Sequence, residues 1–270
     1  MAGPPTLDGI IARAYPAALD TLGERPTRAA VLSAIRAGHE AAQGLIDDLA
    51  AQATAGGQRL GCKAGCAFCC HQHIAVSPAE LLSVFDAVGA WPADRQADLR
   101  RRLDRDAPRL TPLGLTALGH AERRASRIAC AMLDRRTGRC TAYEQRPMPC
   151  RSHLSFLRTA CEREFRNKGP FRPADKPVPV FQPPKPVAGA VLVAVELALD
   201  LRGLSVEPTE LTLGLHHALT DPAAFDRWLS GEAPFPVLPP PPDSRRAREG
   251  LAYTAMIRAE RERLIRHRVI

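Results

Sequence analysis

A mainly α-helical fold is what this sequence of 270 residues predicts. Apolar residues over residues 27–54 recur at spacings of three, four and seven, as they do on one face of a helix. No stretch of convincing length alternates with period two. Four cysteines crowd between residues 62 and 70, and neighbouring thiols are typical of metal sites. We therefore expect helices around irregular cysteine-rich loops organised by a metal site, with Pro-rich segments on the surface.

The first half of the chain contains clear helix signals on both sides of the four cysteines. The amphipathic pattern of residues 27–54 ends at Gly56-Gly57. After the cysteines, Ser77 and Glu80 form a capping-box pattern with a proline at the first helical position. The cysteines should thus lie just before a helix. Further helices are expected over about 92–106 and 116–128.

The second half contains irregular segments and then helices. A turn or short hairpin is expected around Thr137-Gly138, followed by a proline-restrained loop. Residues 170–186 hold seven prolines, which predicts an extended surface segment. Helical patterns follow over residues 187–201, 208–219 and 222–229.

The proline pattern also suggests how the chain is divided. Six prolines in residues 234–242 predict a stiff spacer. We expect one helical metal-binding domain over residues 1–233 with its cysteine core at 62–161, a spacer at 234–243 and a basic helix at 244–270.

Charge and hydropathy narrow the class of protein. The net charge is +8, but residues 244–270 contribute eight Arg and three Glu, so the basic character belongs mainly to this tail. The longest apolar run, residues 188–199, is interrupted by Glu196 and is shorter than the ~20 residues of a membrane span. The N-terminus lacks the basic segment of an export signal. We expect a cytoplasmic protein with no membrane partner, whose cysteines bind metal or carry out redox chemistry rather than form disulfides.

The cysteines form two blocks that can converge on a metal. The first block has the spacing C-x3-C-x2-C-C, and the second follows about sixty residues later. Soft thiolates favour zinc or an iron-sulfur cluster over calcium or magnesium. The expected ligands are Cys62, Cys66, Cys69, Cys70, Cys130, Cys140 and Cys150.

The number and surroundings of these thiols raise further questions. Seven thiols exceed the four that one zinc ion or one cubane takes, and adjacent Cys69 and Cys70 point in different directions, which favours more than one metal ion.

Cys161 is either a ligand or a buried thiol. Arg146 and Arg151 flank Cys150. They either act on the site, by donating hydrogen bonds to sulfur or by offsetting its negative charge, or they are simply solvated. Three histidines lie near the cysteines in the sequence: His71, His73 and His153. For each of them, a hydrogen bond to a metal ligand or a position on the surface is favoured over direct binding of the metal.

At these residues the chain resembles the bacterial YkgJ-like cysteine-cluster family, also written CxxCxxCC, described as zinc- or iron-chelating. The first matching block is Cys62 to Cys70 followed by Val76-Ser77-Pro78-Ala79-Glu80. The second is Cys140-Thr141-Ala142-Tyr143-Glu144-Gln145-Arg146-Pro147-Met148-Pro149-Cys150-Arg151, preceded by Cys130. Cys62 departs from the family spacing, because three residues rather than two separate it from Cys66. The resemblance implies metal binding and no particular reaction.

Two alternatives come from other features of the sequence. C-x3-C-x-Phe-C, with Phe68 before Cys69, is also the spacing of a radical-SAM cluster loop, which would imply an iron-sulfur redox or transferase enzyme. That fold needs a strand before the motif, whereas residues 27–54 have a helical period. The basic tail allows a nucleic-acid partner, but a solvated helix face with pairs such as Glu262 and Arg266 is favoured.

Overall fold

The computed structural model describes residues 6–113, 123–167, 177–239, 247 and 251–270. Within them the fold is mainly helical, as the sequence predicts, and each strand is two residues long. The helices are α1 (Leu7–Leu22), α2 (Arg28–Ala55), α3 (Pro78–Gly89), α4 (Ala93–Leu110), α5 (Met148–Ser152), α6 (Arg158–Arg166), α7 (Pro184–Leu201), α8 (Leu211–Thr220), α9 (Ala224–Leu229) and α10 (Tyr253–Arg266). The strands are β1 (Ala75–Val76), β2 (Leu133–Asp134), β3 (Arg139–Cys140), β4 (Leu154–Ser155), β5 (Val180–Phe181) and β6 (Thr209–Glu210), with 3₁₀ turns at Phe68–His71 and Thr111–Leu113.

Helix α7 is the centre of the fold because almost its whole surface is apolar. It packs against α1, α2, α5 and α10. Its contact with α2 is close at Gly38, where an added Cβ would lie 3.2 Å from Cγ2 of Val195. The glycine on α2 therefore lets its backbone approach the valine side chains of α7, and the core extends from this contact.

The predicted helix starts are largely confirmed. Thr27 caps α2, and Ser77 caps α3 with the complete capping box formed with Glu80. The prediction that residues 170–186 are extended throughout is wrong at its end, because α7 already begins at Pro184. A proline in the first helical turn removes no hydrogen bond, since those N–H groups have no helical partner.

Some predicted elements lie partly outside the described residues. Of the helix expected over 116–128, only residues from 123 onward are described, and 123–125 are helical. Parts of the two Pro-rich segments, 170–186 and 234–243, also lie outside the described residues. The hairpin is confirmed as the pair β2–β3, whose turn contains Gly138 with a φ of 69°.

Two further strand pairs join distant parts of the chain. β1 pairs with β6 and β4 pairs with β5, both antiparallel. The first pair connects the end of the cysteine loop to the start of α8, and the second places the segment after α5 beside the start of α7. No helix of the described residues is long and apolar enough to cross a membrane.

The C-terminal helix α10 lies against α7 and does not stand apart from the other helices. Ile257 and Leu264 are buried in this contact. Glu207 accepts hydrogen bonds from the backbone N–H groups of Tyr253 and Thr254, at 3.1 and 2.7 Å. The tail is therefore packed through specific contacts, whereas the proposed division into domain, spacer and tail stays a prediction.

A buried carboxyl beneath α10 makes stability depend on pH. Glu196 of α7 accepts a hydrogen bond from the Tyr253 hydroxyl at 2.7 Å, and burial raises the pKa of Glu196 from 4.5 to about 8. In the unfolded chain this group ionises at its ordinary pKa, so the free energy of unfolding should fall as the pH rises from 4.5 toward 8. Between pH 5 and pH 8 the loss is on the order of 3 kcal/mol.

Replacing Glu196→Gln should flatten this pH dependence. The amide keeps an acceptor for Tyr253 and cannot ionise. Denaturant unfolding at pH 5 and pH 8 measures the slope in both proteins. The control is Glu262→Gln, whose side chain is 70% exposed and whose removal should leave the slope unchanged. Equal slopes for wild type and Glu196→Gln would contradict the prediction.

Candidate metal centre

The first cysteine block lies in the loop between α2 and α3, and Ser155 holds the start of this loop. The N–H of Gly61 donates to the Ser155 carbonyl at 2.8 Å, and the N–H of Ser155 donates to Sγ of Cys62 at 3.1 Å. The turn at Cys66 and the 3₁₀ turn at Phe68–His71 follow. This second turn presents Cys69 and Cys70.

The β2–β3 hairpin brings two cysteines of the second block to the first. The N–H of Cys130 donates to the carbonyl of Cys70 at 2.6 Å. Cys140 lies opposite Leu133 in the hairpin. The 3₁₀ turn that contains the adjacent Cys69 and Cys70, called the doublet turn, is therefore joined directly to the hairpin through the backbone.

Cys150 is carried by the short helix α5. The backbone N–H of Met148 at the start of this helix donates to Oε1 of the fully buried Glu80 at 2.7 Å. Pro147 and Pro149 restrict the backbone on either side of Met148. Glu80 therefore has two tasks, since it also completes the capping box of α3.

The arginines beside Cys150 hold the loop onto α2 instead of contacting sulfur. Arg146 stacks on Tyr143 at 3.9 Å and donates to Oε1 of Gln43 at 3.0 Å. Arg151 is buried and donates to the carbonyls of Arg146 and Glu144 and to Gln43. These contacts are neither donation to sulfur nor plain solvation. Burial raises the pKa of Cys140 and Arg146 lowers it, which is the direction expected of a charge that offsets thiolates.

The helix α6 carries Cys161 to the same region. Phe165, one turn after Cys161, lies 5.5 Å from the ring of Phe68 and 4.6 Å from that of His71. The side chain of Ser155 forms a hydrogen bond with Cys161 that lowers the pKa of this thiol, against a larger rise caused by burial. The contacts of Phe165 thus pack the helix that carries Cys161 against the turn of the first block.

The three histidines near the cysteines have separate surroundings. Nδ1 of His71 lies 3.3 Å from the carbonyl of Ala67, and burial lowers the pKa of His71. Nδ1 of His73 lies 3.4 Å from the guanidinium of Arg123. Burial, with a smaller effect of Lys185, lowers the pKa of His153. The two lowered values favour neutral imidazoles in the folded chain.

A buried ion pair lies next to the segment that leads to Cys130. Arg123 donates to Oε1 of Glu210 at 2.6 Å, and both side chains are 0% exposed. Arg123 also donates to the carbonyl of Ile128, and Glu210 accepts from the N–H of Thr212 at 2.7 Å. The pair joins the segment before Cys130 to the start of α8. The sequence does not predict this pair, because a single Arg and a single Glu that are 87 positions apart carry no pattern.

A cavity of about 450 Å³ lies between α2, α3 and the loop before α5. Its lining includes the buried side chains of His39 and Arg151. Nε2 of His39 lies 3.4 Å from Oε1 of Glu80, the same oxygen that accepts from Met148. One carboxylate therefore joins the cavity wall to the helix that carries Cys150.

Burial makes most of the thiols harder to ionise. It raises the pKa of Cys130 to about 12 and that of Cys150 well above its ordinary range. At the doublet, a hydrogen bond between the two thiols lowers the pKa of Cys69 and raises that of Cys70. Metal binding must release these protons, so affinity for a metal should increase with pH.

The donor set suits zinc or iron in its chemistry. All eight cysteines are free thiols. Zinc and iron both bind soft sulfur ligands such as thiolates. In the part of the chain that the structure describes, no group of three or more His, Cys, Asp or Glu side chains is already arranged to hold one ion. Binding would therefore have to draw the thiols together.

A glycine next to Cys62 provides a test of this local geometry. An added Cβ at Gly61 would lie 2.7 Å from the backbone N of Arg158 and 2.8 Å from the carbonyl oxygen of Phe156. These backbone atoms cannot move aside easily, so Gly61→Ala should displace Cys62 from Ser155 and lower the free energy of unfolding by about 1–3 kcal/mol. Denaturant unfolding and the alkylation rate of Cys62 measure both effects.

The matched control is Gly44→Ala in the middle of α2, where no atom lies within 4 Å of the added Cβ. It should leave stability unchanged or raise it by up to about 1 kcal/mol, because alanine is the better helix former. If Gly61→Ala behaved like this control, the contact between the two loops would not position Cys62.

Comparison with known proteins identifies the class of this region. Residues 61–169 match the CxxCxxCC family model, described as a "putative zinc- or iron-chelating domain". No curated protein and no solved structure matches the chain. The resemblance inferred from the cysteine spacing is thus confirmed over the matched residues, and the match extends past Cys150 to include Cys161.

Proposed function

We propose that residues 62–161 form a zinc- or iron-binding centre, with iron held as ions or as an iron-sulfur cluster. The convergence of two cysteine blocks supports this most strongly: the Cys130 N–H bonds to the Cys70 carbonyl at 2.6 Å across sixty residues of sequence. The proposed thiolate ligands are Cys62, Cys66, Cys69, Cys70, Cys130, Cys140 and Cys150. Eight free thiols fit a reducing compartment, and we place the protein in the cytoplasm.

Positive charge around the cysteines supports the same proposal. Burial lowers the pKa of His71, which adjoins the doublet, and Arg135, Arg123 and Arg127 lower it further. Arg123 also lowers the pKa of Cys130, against a larger rise caused by burial, and a positive charge there would favour a bound thiolate.

Neither alternative function gains support from a particular contact. All strand pairs in the described residues are antiparallel and two residues long, unlike the parallel strands of a radical-SAM half-barrel. In the basic tail, Arg258 and Arg263 pair with Asp200 and Asp8 at 3.1 and 2.7 Å. These two cations already have partners within the fold.

The proposed function is tested by purifying the full chain without oxygen and measuring bound metal and the absorption spectrum. We expect zinc in a colourless protein or iron in a coloured one. The variant Cys130→Ser should bind less metal. The control His216→Ala alters a donor that lies at Asp104, away from the cysteines, and should keep the full amount. Wild-type protein free of zinc and iron, even after incubation with either, would overturn the proposal.

A further inference from the structure

The cavity between α2, α3 and the loop before α5 lies outside the proposed metal centre. Its volume of about 450 Å³ is that of a small-molecule site, and none of the described residues that line it is a cysteine. The α2 residues in its wall run from Leu32 to Asp47, which is about 22 Å along a helix axis. The cavity is therefore elongated, and α2 forms one long side of it.

Two buried polar side chains in this wall have atoms available to a ligand. Ser83 of α3 is 9% exposed and His39 of α2 is 3% exposed. Within the described residues, neither the Ser83 hydroxyl nor Nδ1 of His39 has a hydrogen-bond partner, and neither is among the fully enclosed atoms that lack one. Both atoms therefore open onto the cavity. Polar groups buried this deeply are normally paired, so the two atoms point to a polar ligand.

The contact between His39 and Glu80 determines the hydrogen-bonding role of Nδ1. The two oxygens of Glu80 accept the backbone N–H groups of Met148 and Ser77, at 2.7 and 3.3 Å. Nε2 of His39, 3.4 Å from Oε1, is then the nitrogen that carries the proton, because a carboxylate only accepts. The neutral imidazole presents Nδ1 to the cavity as an acceptor. A serine hydroxyl can also accept, so both groups suit a ligand that donates.

The charge around the cavity is opposite in sign to that of the whole chain. Four carboxylates and two guanidinium groups line it, a local charge of −2, whereas the chain carries +8. The guanidinium of Arg151 is already occupied by the carbonyls of Arg146 and Glu144. The carboxylates of Glu40 and Glu144 form no ion pair or hydrogen bond within the part of the chain that the structure describes. These two carboxylates are available to a cation.

We propose that this cavity binds a linear polyamine, a flexible chain with an ammonium group at each end. Ammonium groups only donate hydrogen bonds, which matches the carboxylates at the rim and the acceptors at Ser83 and His39. Glu40 and Asp47 lie two turns apart on one face of α2, about 10 Å along the axis, so the carboxylates are spaced for more than one ammonium group. An anionic ligand would instead meet a net negative charge.

Arg36 identifies the end of the cavity that the ammonium groups should avoid. Its side chain is exposed, lines the cavity and lies one turn before Glu40 on α2. Replacing Arg36→Gln removes a like charge from the site. This variant should therefore bind a polyamine more tightly than the wild type, by up to about fivefold.

Isothermal titration calorimetry with spermidine, on the full chain purified without oxygen and at physiological ionic strength, tests the inference. We expect one equivalent to bind. Glu40→Gln/Glu144→Gln should weaken binding by about tenfold, since two ion pairs are lost. The control Glu232→Gln/Glu262→Gln removes the same charge from two exposed positions outside the cavity and should leave the affinity unchanged. Exposed positions tolerate these changes, so both double variants should fold.

Ser83→Ala tests the buried wall, because it removes the hydroxyl and adds no bulk. It should weaken spermidine binding by about threefold or more. Unchanged affinity in this variant would place spermidine outside the cavity and overturn the inference. So would a wild type that binds no spermidine, equal weakening by the two double variants, or equal binding of triethylene glycol, a neutral chain. Each of these results leaves the proposed metal centre standing, because metal content is measured separately on the same preparation.

Discussion

Removing the metal with a strong chelator is expected to unfold residues 62–161 first. Structural thiolate sites supply about 10–16 kcal/mol of apparent binding energy, similar to the net stability of ~5–15 kcal/mol of a whole domain. Among the described residues between α3 and α7, α4 is the one long helix and the rest is short helices, two-residue strands and turns, so this region has little to replace that energy. Loss of metal should therefore be the largest single perturbation of this protein.

Limited proteolysis before and after chelation measures this effect. New cleavage sites should appear between residues 62 and 161, while α2 and α7, which pack against each other, stay protected. Adding zinc or iron back should restore the original pattern. An unchanged pattern in protein shown to be metal-free would mean that the cysteine region folds without metal.

Breaking the buried ion pair between Arg123 and Glu210 should have the second largest effect. Arg123→Ala would leave the Glu210 carboxylate without its cation at a position that is 0% exposed. Loss of one partner of such a pair costs about 3–5 kcal/mol. The Glu210 carboxylate would keep its bonds to the N–H groups of α8, so the start of that helix should persist.

Denaturant unfolding of the metal-free and metal-loaded chains measures the loss. The control Arg101→Ala removes a pair with Asp98 in which the arginine is 70% exposed, and it should change stability by less than about 1 kcal/mol. A similar small change for Arg123→Ala would show that water reaches the pair in solution.

The elements that the sequence predicts well are those set by neighbouring residues. The cap at Ser77 depends on Glu80 three positions away, and the turn at Gly138 needs a residue that tolerates a positive φ. The cysteine spacing likewise identifies the metal-binding region, because crowded thiols are rare for any other reason.

The features that the sequence does not predict depend on contacts between distant residues. Helix α1 was not anticipated, although its residue Ile11 is buried in the core. The role of Glu80 as acceptor for Met148 joins positions 68 apart. The hydrogen bond from the Ser155 N–H to Cys62 joins positions 93 apart, and no recognisable motif contains both residues. Such contacts are set by packing, for which one sequence carries no periodic signal.

X-ray absorption at the edge of the bound metal, on full-length protein purified without oxygen, tests the central claim most directly. If cysteine thiolates hold the metal, the first shell should consist of about four sulfur atoms, at about 2.3 Å for zinc. An iron-sulfur cluster would add a second shell of iron neighbours. A first shell of oxygen and nitrogen atoms without sulfur would contradict the account, because the metal would then lie outside the cysteine region.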